Sequence, residues 1–407
     1  MINKEQIDSF LKSTQNELEQ EILPFWIKNC QDDEYGGFIG WMSNDGTITK
    51  DTPKGLVLNA RILWTFSATY RTEKNNEYLE MAKRAYDYLM QNFVDKKFGG
   101  AFWLLDHTGK PSDYSKEIYG QAFLIYGLSE YYLATGDSAA LEKAKELFYL
   151  IEKHCHDDAN KGYFETFSRD WKAAEKAVLA TGNPREKKTM NTHLHLLEAY
   201  TNLYRAWKEE KLQARLIELI EIFQKHIIDS ETFHFKLFFD EKWHSTSNIV
   251  SFGHDIEGSW LLCEAAEVLG QPEKIHEVET IALKMAQAVY EQGLDGDGGL
   301  LYEGQAGKIT DTNKEWWPQA ETVVGFLNAY QLSGPRSNRG EHFFTAAFKC
   351  WEFIQQHIVD KTHGEWFWRV ARDGTPDLKE PKVSQWKCPY HNARACLETI
   401  RRLKAIN

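Results

Sequence analysis

The chain lacks the features of several specialised classes of protein. Its 407 residues hold no apolar run near the ~18–20 residues that a membrane-spanning helix needs. Basic residues are the minority, with 48 Lys and Arg against 60 Asp and Glu. The net charge of −12 argues against nucleic acid or an anionic membrane as the main partner. We therefore expect binding to neither.

Cysteine is sparse and dispersed along the chain. The six cysteines, at positions 30, 155, 263, 350, 388 and 396, form no C-x-x-C pair, so a disulfide scaffold is not indicated. Residues 1–6 contain no apolar segment and no small-residue cleavage site of the kind that marks a secretory signal. We expect reduced thiols and a cytoplasmic location, and no obligate protein partner is evident.

Aromatic residues, in contrast, are abundant, with 14 Trp, 18 Tyr and 23 Phe. Short patches rich in glycine or aromatic residues recur at intervals of 63, 62, 73, 64 and 65 residues. They are anchored on Gly37, Gly100, Gly162, Phe235, Gly299 and Gly364. Repetition at this period indicates a fold built from six copies of one supersecondary unit.

Helical periodicity between the patches predicts two helices in each unit. The predicted helices cover residues 4–29, 54–72, 76–93, 117–135, 138–154, 189–209, 212–228, 254–269, 273–292, 316–333, 340–359 and 389–405. Ser138 is the predicted cap of the fifth helix. Gly127, Gly258 and Gly325 lie inside even-numbered helices, where glycine is unfavourable, and they predict close approach within an inner ring.

Six helical hairpins predict an all-α protein, an (α/α)6 barrel formed as a single domain from residues 1–407. An open α-solenoid is the alternative, but six units of more than 60 residues with aromatic linking patches favour a closed ring. Polar motifs stand at the starts of the even-numbered helices, for example at residues 191–195, 254–257 and 386–391. In an antiparallel ring these ends face the same mouth, so their side chains are predicted to converge there.

Metal chemistry is the first possibility for such a site. His193 and His195 are two residues apart on a helix and cannot bind the same ion. Asn191 and His195 share a face, as do His254 and Glu257. However, no H-E-x-x-H or comparable spacing is present, and we predict no metal.

Glycoside hydrolysis by a pair of carboxylates is the second possibility. Its candidates are Asp255, Glu257, Glu303 and Glu321, although each of them could instead orient a neighbouring histidine or arginine. Because the motifs centre on histidine, hydrolysis stays an alternative. A carbohydrate-binding toroid without turnover is another, since aromatic rings serve as stacking platforms for sugars.

Proton transfer at carbon by histidine is the third possibility and the one the motifs favour. Imidazole titrates near neutral pH and needs no large perturbation to act as a base. His254 and His391 lie in the first turns of their helices, where the helix dipole favours the neutral ring. Inversion of a carbon beside a carbonyl requires proton removal on one face and return on the other. Two such histidines can supply both steps.

Two segments resemble known motifs. Residues 190–200 (MNTHLHLLEAY) and 252–257 (FGHDIE) are similar to signatures of the N-acylglucosamine 2-epimerase superfamily, most closely its cellobiose 2-epimerase branch, and the similarity extends along the whole chain. The resemblance implies a cofactor-free (α/α)6 barrel whose partner is a small-molecule sugar. It also implies epimerisation at C2 of the reducing-end glucose of β-1,4-linked disaccharides, through a cis-enediolate.

The resemblance further implies roles for individual residues. His254 and His391 would form the acid/base pair at C2, assisted by His195. The implied substrate-binding residues are Arg61, Tyr119, Asn191, Glu257, Glu303, Trp317 and Trp386. Arg61 and Asn191 would hold the carbonyl and hydroxyl oxygens, and the two tryptophans would stack on the sugar.

The choice of sugar stays open at this stage. Relatives with nearly the same histidines epimerise free mannose or glucose, interconvert aldose and ketose, or act on N-acylglucosamine. We expect the loops at residues 244–251 and 375–387 to set the length of the substrate, and their shape cannot be predicted from the sequence.

Overall fold

An inner ring of six helices surrounds the axis of the molecule in the computed structural model, which describes residues 2, 4–174, 183, 185–334 and 340–406. The inner helices are α3 (Leu56–Glu73), α5 (Ile118–Thr135), α7 (Met190–Ala206), α9 (Phe252–Leu269), α11 (Trp316–Leu332) and α13 (Tyr390–Ile406). Each packs against the next, and α13 packs against α3, which closes the ring. The fold is therefore the predicted (α/α)6 barrel, and the open solenoid is excluded.

Glycine permits the closest contacts within this ring. A Cβ atom on Gly127 would lie 2.7 Å from the carbonyl oxygen of Ala60, and one on Gly325 would lie 2.8 Å from that of Ile256. Because contacts this short are sterically forbidden, both crossings require glycine, and the predicted close approach is confirmed.

An outer layer of helices covers the ring. It consists of α1 (Lys4–Asn16), α2 (Leu23–Asn29), α4 (Asn76–Tyr88), α6 (Ser138–His154), α8 (Glu210–Ile222), α10 (Pro272–Gln292) and α12 (Glu341–Phe353). Four of the outer helices contain a π-helical segment, at Glu17–Ile22, Leu89–Phe93, Phe223–Ile227 and Ile354–Ile358. The first of these joins α1 to α2, so the predicted helix at 4–29 is one continuous helical stretch.

The outer helices are amphipathic, unlike the inner ones. In α4 the buried residues Tyr78, Met81, Ala82 and Ala85 follow helical spacing, so one face packs on the ring while the other faces solvent. The predicted pairing of outer and inner helices is confirmed. The predicted cap of α6 is wrong: the side chain of Asp137 accepts from the Ala139 amide, and Ser138 is the first helical residue.

The six patches that revealed the repeat all form the same local structure. In each, an antiparallel bridge joins the end of an outer helix to the patch that follows it. The bridges are Gln31↔Phe38, Val94↔Ala101, His156↔Tyr163, Ile228↔Phe235, Leu294↔Leu300 and Val359↔Trp366. The six-fold repeat predicted from spacing is thus a repeat of structure.

Short antiparallel ladders link neighbouring repeats at one end of the barrel. Their strands are β1 (Lys54–Gly55), β2 (Leu104–Leu105), β3 (Pro111–Asp113), β4 (Lys116–Glu117), β5 (Thr166–Phe167), β6 (Lys188–Thr189), β7 (Phe238–Phe239), β8 (Ile249–Ser251), β9 (Glu303–Gln305), β10 (Lys308–Asp311), β11 (Lys314–Glu315) and β12 (Arg369–Val370). They pair in the orders β1-β2-β3, β4-β5, β6-β7, β8-β9-β10 and β11-β12. Five inner helices begin directly after one of these strands, which fixes where their first turns point.

Buried ion pairs reinforce five of the six repeats. In each, a lysine with at most 1% of its side chain exposed donates to an aspartate in the turn after an outer helix. The pairs are Lys54 with Asp32, Lys116 with Asp95, Lys188 with Asp157, Lys314 with Asp297 and Lys382 with Asp360. A lysine charge this deeply buried is tolerated only with such a partner. The ion pairs therefore hold the turns after the outer helices against the barrel.

The structure agrees with two expectations from composition. All six cysteines are buried and none forms a disulfide. Among the helices of the described residues, none combines the length and the apolar character that crossing a membrane would need.

Candidate active site

The first turns of the inner helices surround a cavity of about 260 Å³ on the barrel axis, termed here the axial cavity. It is lined by Arg61, Tyr119, Asn191, His195, His254, Glu257, Tyr302, Glu315, Trp316, Trp317, Trp368, Trp386 and His391. Nine of the ten residues predicted for the site are among them. Side chains up to 330 residues apart in the chain therefore meet in one place, as the ring topology predicts.

Helical spacing places these side chains in two layers. The upper layer comes from the second or third residue of its helix and consists of Tyr119, Asn191, His254, Trp317 and His391. The lower layer comes from the fifth or sixth residue and consists of Arg61, His195, Glu257, Glu321 and Arg394. Because residues three or four apart share a helix face, the lower side chains on α7, α9, α11 and α13 lie beneath the upper ones of the same helix.

His254 stands at the start of α9 beside a hydroxyl. Its Nδ1 lies 2.7 Å from Oγ of Ser251, the last residue of β8, and its ring centroid lies 4.6 Å from that of Trp317. Burial, reinforced by the nearby His195, lowers the pKa of His254 to about 3. The neutral imidazole predicted from the helix dipole is thus present, although loss of hydration is the main cause.

His391 stands at the start of α13 beside a carboxylate. Its Nδ1 lies 2.7 Å from Oε1 of Glu321, and its ring faces the same Trp317 indole at 5.7 Å between centroids. Burial, together with the positive charges of Arg61 and Arg394, lowers the pKa of His391 well below its usual value. Its Nδ1 proton donates to the carboxylate in this arrangement, which leaves Nε2 unprotonated and able to act as a base.

His195 lies one helical turn deeper than Asn191 on α7. Its Nδ1 is 2.9 Å from Oε2 of Glu198, and its ring meets that of Tyr119 edge-on at 5.0 Å. Burial lowers the pKa of His195 even though Glu198 opposes the shift. All three histidines of the axial cavity therefore have Nδ1 engaged by the protein, with Nε2 left for a substrate.

A buried charge cluster underlies the histidines. Nη2 of Arg394 donates to Oε1 of Glu257 at 2.6 Å and to Oε1 of Glu321 at 2.7 Å, while Nη1 donates to Glu198 and to the Tyr390 hydroxyl. All five side chains are almost completely buried. Glu198 and Arg394 were not predicted as site residues, although each stands three positions after a catalytic candidate and therefore on the same helix face.

Arg61 differs from Arg394 in having no carboxylate partner. Its Nη2 donates to the Tyr119 hydroxyl at 2.9 Å, its Nη1 reaches the Trp386 carbonyl at 3.3 Å, and its guanidinium lies over the Phe123 ring. Within the described part of the chain, no ion pair neutralises Arg61. A buried, uncompensated positive charge at a cavity wall is suited to a negatively charged oxygen.

Aromatic rings form much of the remaining wall. Trp317 donates from Nε1 to Glu315 at 3.2 Å, and the half-buried Trp386 lies 5.9 Å from Tyr119 between ring centroids. Trp316, Trp368 and Tyr302 also line the axial cavity but were not predicted. Flat rings facing a polar centre suit a sugar, whose C–H surface packs on them while its hydroxyls meet the charged groups.

Glu303 is the one predicted residue outside the axial cavity. It lies in β9, where it pairs with Ser251 of β8, and it is partly exposed. Burial raises the pKa of Glu303 above its usual range, with a further contribution from Asp311. Its neighbour Tyr302 reaches the axial cavity instead, so Glu303 lies beside the mouth.

Three of the four carboxylates considered for hydrolysis, Asp255, Glu257 and Glu321, are committed to other contacts. Asp255 accepts from the His234 ring and from the Phe235 amide, both at 2.7 Å, and does not line the axial cavity. Glu257 and Glu321 are held by Arg394. These carboxylates therefore orient a histidine or an arginine, the other role open to them from the sequence.

The structure bears on metal binding at two places. His193 does not enter the axial cavity, because its ring accepts from the Tyr163 amide and contacts the Thr189 carbonyl. Ligand atoms of Glu257, Glu321 and His391 do lie within 4.8 Å of one another. However, the guanidinium of Arg394 already supplies the positive charge that a cation would bring to both carboxylates.

A separate surface cavity of about 300 Å³ lies near β1, between the turn at Asp32 and the loop at Asp51. Its carboxylates are exposed or, in the case of Asp32, paired with the buried Lys54. The chemically equipped space is therefore the axial cavity.

Comparison with known proteins agrees with this geometry. The family model described as N-acylglucosamine 2-epimerase matches residues 37–395. A cellobiose 2-epimerase of Bacteroides fragilis is 47% identical over 397 residues, which cover 97% of this chain and 100% of that protein. One of Dictyoglomus turgidum is 41% identical over 387 residues, covering 95% and 97%. The structure of a cellobiose 2-epimerase from Bacillus thermoamylovorans superposes with a TM-score of 0.92 at 40% identity, covering 97% of this chain and all of that one. The chain belongs to the N-acylglucosamine 2-epimerase family.

Proposed function

We propose that the protein is a cellobiose-type sugar 2-epimerase, which interconverts the glucose and mannose configurations at C2 of the reducing-end residue of a β-1,4-linked disaccharide. The observation that carries the proposal is the convergence of two neutral imidazoles, His254 and His391, on the indole of Trp317. Beside them stands the unpaired guanidinium of Arg61. Two bases and one oxyanion-stabilising charge are what inversion beside a carbonyl requires.

The chemistry begins with the open-chain sugar. One histidine takes the proton from C2 through Nε2, and the C–H electron pair moves toward the C1 carbonyl, whose oxygen becomes negative. Arg61 stabilises that oxygen, and the product is a cis-enediolate. The new negative charge raises the pKa of the facing imidazole, which favours a protonated ring on the donating side.

Rotation about C2–C3 then presents the other face of C2 to the second histidine. That histidine takes a proton from water on Nε2 as the enediolate forms and returns it to C2, and the C1 carbonyl re-forms. The first histidine releases the abstracted proton to water, so both imidazoles are neutral again. We place His195 in ring opening or proton relay, because it lies between Glu198 and the axial cavity. Asn191, Tyr119 and Glu257 face the same space and would hold the sugar hydroxyls.

The disaccharide preference is supported by the relatives, since the two proteins at 47% and 41% identity are both named cellobiose 2-epimerases and align along nearly their full length. Trp317 and Trp386 would stack on the sugar, and the partly exposed Glu303 could contact a hydroxyl of the second residue at the mouth. The loops at 244–251 and 375–387 border this opening and would set how long a substrate fits.

The test is NMR spectroscopy of cellobiose incubated with the protein in deuterated water. Epimerised product with deuterium at C2 is expected. An epimer without deuterium would contradict exchange of the abstracted proton with solvent. Conversion of mannose or N-acetylmannosamine but not of cellobiose would replace the disaccharide preference with that of another branch of the family. Release of monosaccharide, or no change in any sugar, would overturn the proposal.

A further inference from the structure

We infer that Arg394 and Glu198 are positioning residues of the reaction: one guanidinium holds the carboxylates behind His195 and His391 and so couples the orientations of the two histidines. The inference rests on the proposed function, but it concerns residues that contact other protein groups and not the sugar. Neither Arg394 nor Glu198 lines the axial cavity.

The contacts form an unbroken path between two helices on different sides of the ring. His195 contacts Oε2 of Glu198, whose Oε1 accepts from Arg394. Arg394 then donates to Oε1 of Glu321, and that same oxygen contacts Nδ1 of His391. Each link is a hydrogen bond with at least one charged partner, the stronger kind in a protein interior.

The geometry suits a guanidinium and no other side chain. Arg394 makes its four bonds from two nitrogens in one plane, and its guanidinium lies between the faces of Trp260 and Tyr390 at 4.9 and 4.3 Å from the ring centroids. The Tyr390 hydroxyl donates to Glu198 and accepts from Arg394. A lysine at this position would keep the charge but could not make the forked contacts.

The charges of the cluster act on both histidines. Burial alone would raise the pKa of Glu198, but Arg394 and His195 bring it to about 2, so it stays ionised. Arg394 favours the neutral form of His195 and His391, whereas Glu198 favours the protonated form of both. The other charged or titratable groups around the cluster are Arg61 on α3, Tyr119 and Tyr126 on α5, and His254 and Glu257 on α9.

The chain contains a matched control for this cluster. Glu152 is also buried, accepts from the Tyr163 and Tyr200 hydroxyls, and pairs with Arg215, but no histidine among the described residues is hydrogen-bonded to it. Arg402 likewise provides a buried arginine on α13, two turns beyond Arg394, that bonds to Asn328 and Gln331. Substitutions at these positions remove the same chemistry without disturbing His195 or His391.

The experiment compares Arg394→Lys and Glu198→Gln with Arg402→Lys and Glu152→Gln, using cellobiose epimerisation across pH. We expect Arg394→Lys to lower kcat by roughly 10- to 100-fold with KM changed by less than about 3-fold, because a displacement near 1 Å is enough for such a loss. In Glu198→Gln the acid limb of the kcat–pH profile should move to lower pH, because the charge that favours the protonated histidines is lost. In Arg394→Lys it should stay in place, because lysine keeps the positive charge. The two control variants should retain the wild-type profile.

An Arg394→Lys variant that turns over within about 3-fold of wild type would overturn the inference, as would equal losses in Arg394→Lys and Arg402→Lys. If Arg394→Lys does not fold, the nearly isosteric Glu198→Gln variant tests the inference instead. An acid limb of its kcat–pH profile that stays at the wild-type pH contradicts the coupling. NMR titration of labelled histidines separates this inference from the proposed function. A shift of His391 in Glu198→Gln but not in Glu152→Gln supports the coupling even if no sugar is converted, and the absence of that shift refutes it.

Discussion

His254 and His391 present similar rings to one cavity but are supported in different ways. Both contact the Trp317 indole, His391 being buried and His254 half-buried, and loss of hydration lowers the pKa of each below its ordinary value. Behind His254 stands the hydroxyl of Ser251, whereas behind His391 stands the carboxylate of Glu321, held in turn by Arg394. The imidazoles are thus matched in chemistry, while their supports differ: one is a neutral hydroxyl and the other a carboxylate paired with a guanidinium.

The difference shows where sensitivity to substitution should lie. If both rings transfer a proton at C2, removal of either one should be about equally damaging. Removal of the supports should be unequal, because a hydrogen bond to a charged group contributes more than one between neutral groups. The predictions below follow this comparison from the largest effect to the smallest.

Replacement of either imidazole should give the largest loss. We expect His254→Ala and His391→Ala each to lower kcat/KM for cellobiose by at least about 100-fold, the lower end of general acid–base effects. The rate of epimer formation measured by NMR decides this, with circular dichroism as the control for folding. Near-normal turnover in either variant would remove that histidine from the mechanism.

Replacement of the supports should separate the two histidines. We expect Glu321→Gln to lower kcat by roughly 10- to 150-fold, which corresponds to ~1.5–3 kcal/mol for a charged hydrogen bond. Ser251→Ala should cost only about 2- to 10-fold, or ~0.5–1.5 kcal/mol for a neutral one. Steady-state kinetics on both variants, with melting temperatures alongside, provide the comparison. A larger loss in Ser251→Ala would reverse the assigned importance of the two supports.

The pH profile tests the property that the two histidines share. A base must be neutral, and burial lowers the pKa of His254 to about 3 and that of His391 well below its ordinary value. Activity is lost as pH falls through the pKa of the base, so the acid limb of kcat/KM should lie below the ordinary imidazole pKa of about 6.5. Kinetics over the pH range in which circular dichroism shows an intact fold measure it. An acid limb of kcat/KM at pH 6.5 or above would contradict a histidine pKa that is lowered by burial.

Removal of divalent cations should have the smallest effect. Arg394 already supplies positive charge to Glu257 and Glu321, which with His391 are the potential ligands. We therefore expect turnover after dialysis against a chelator to stay within about 2-fold of the untreated enzyme, since no catalytic charge would be lost. Loss of activity that a divalent ion restores would show that His391 is supported by a metal after all.

Much of the fold could be predicted from the spacing of residues. The recurrence of the aromatic patches and the helical periodicity between them predicted every inner helix and the closed ring, because each repeat must bury the same face against its neighbours. The cap of α6 was missed, since Asp137 and Ser138 are both good capping residues and only backbone geometry distinguishes them. The buried lysines that precede several inner helices were also missed, although an alignment of the repeats would have shown them.

The site was predictable where a residue type implies chemistry by itself. Histidines near helix starts indicated the acid–base candidates, and the family resemblance implied the other six of the nine predicted residues that line the axial cavity. Glu198 and Arg394, the partners of His195 and Glu321, could not be assigned in the same way, because a charged residue within a helix is usually a solvated one. Their pairing across three helices becomes visible only when the ring is closed.

Periodicity and residue chemistry are properties of the chain, so the six-fold repeat, the order of the helices and the groups available for proton transfer could be predicted from it. Only the folded ring shows which carboxylate faces which histidine, that Arg394 is shared by three carboxylates while Arg61 has no carboxylate partner among the described residues, and that Glu303 lies outside the axial cavity. These relations depend on the rotation of each helix about its own axis within the ring. That rotation is set by packing against neighbours distant in sequence, such as the contact of α13 with α3.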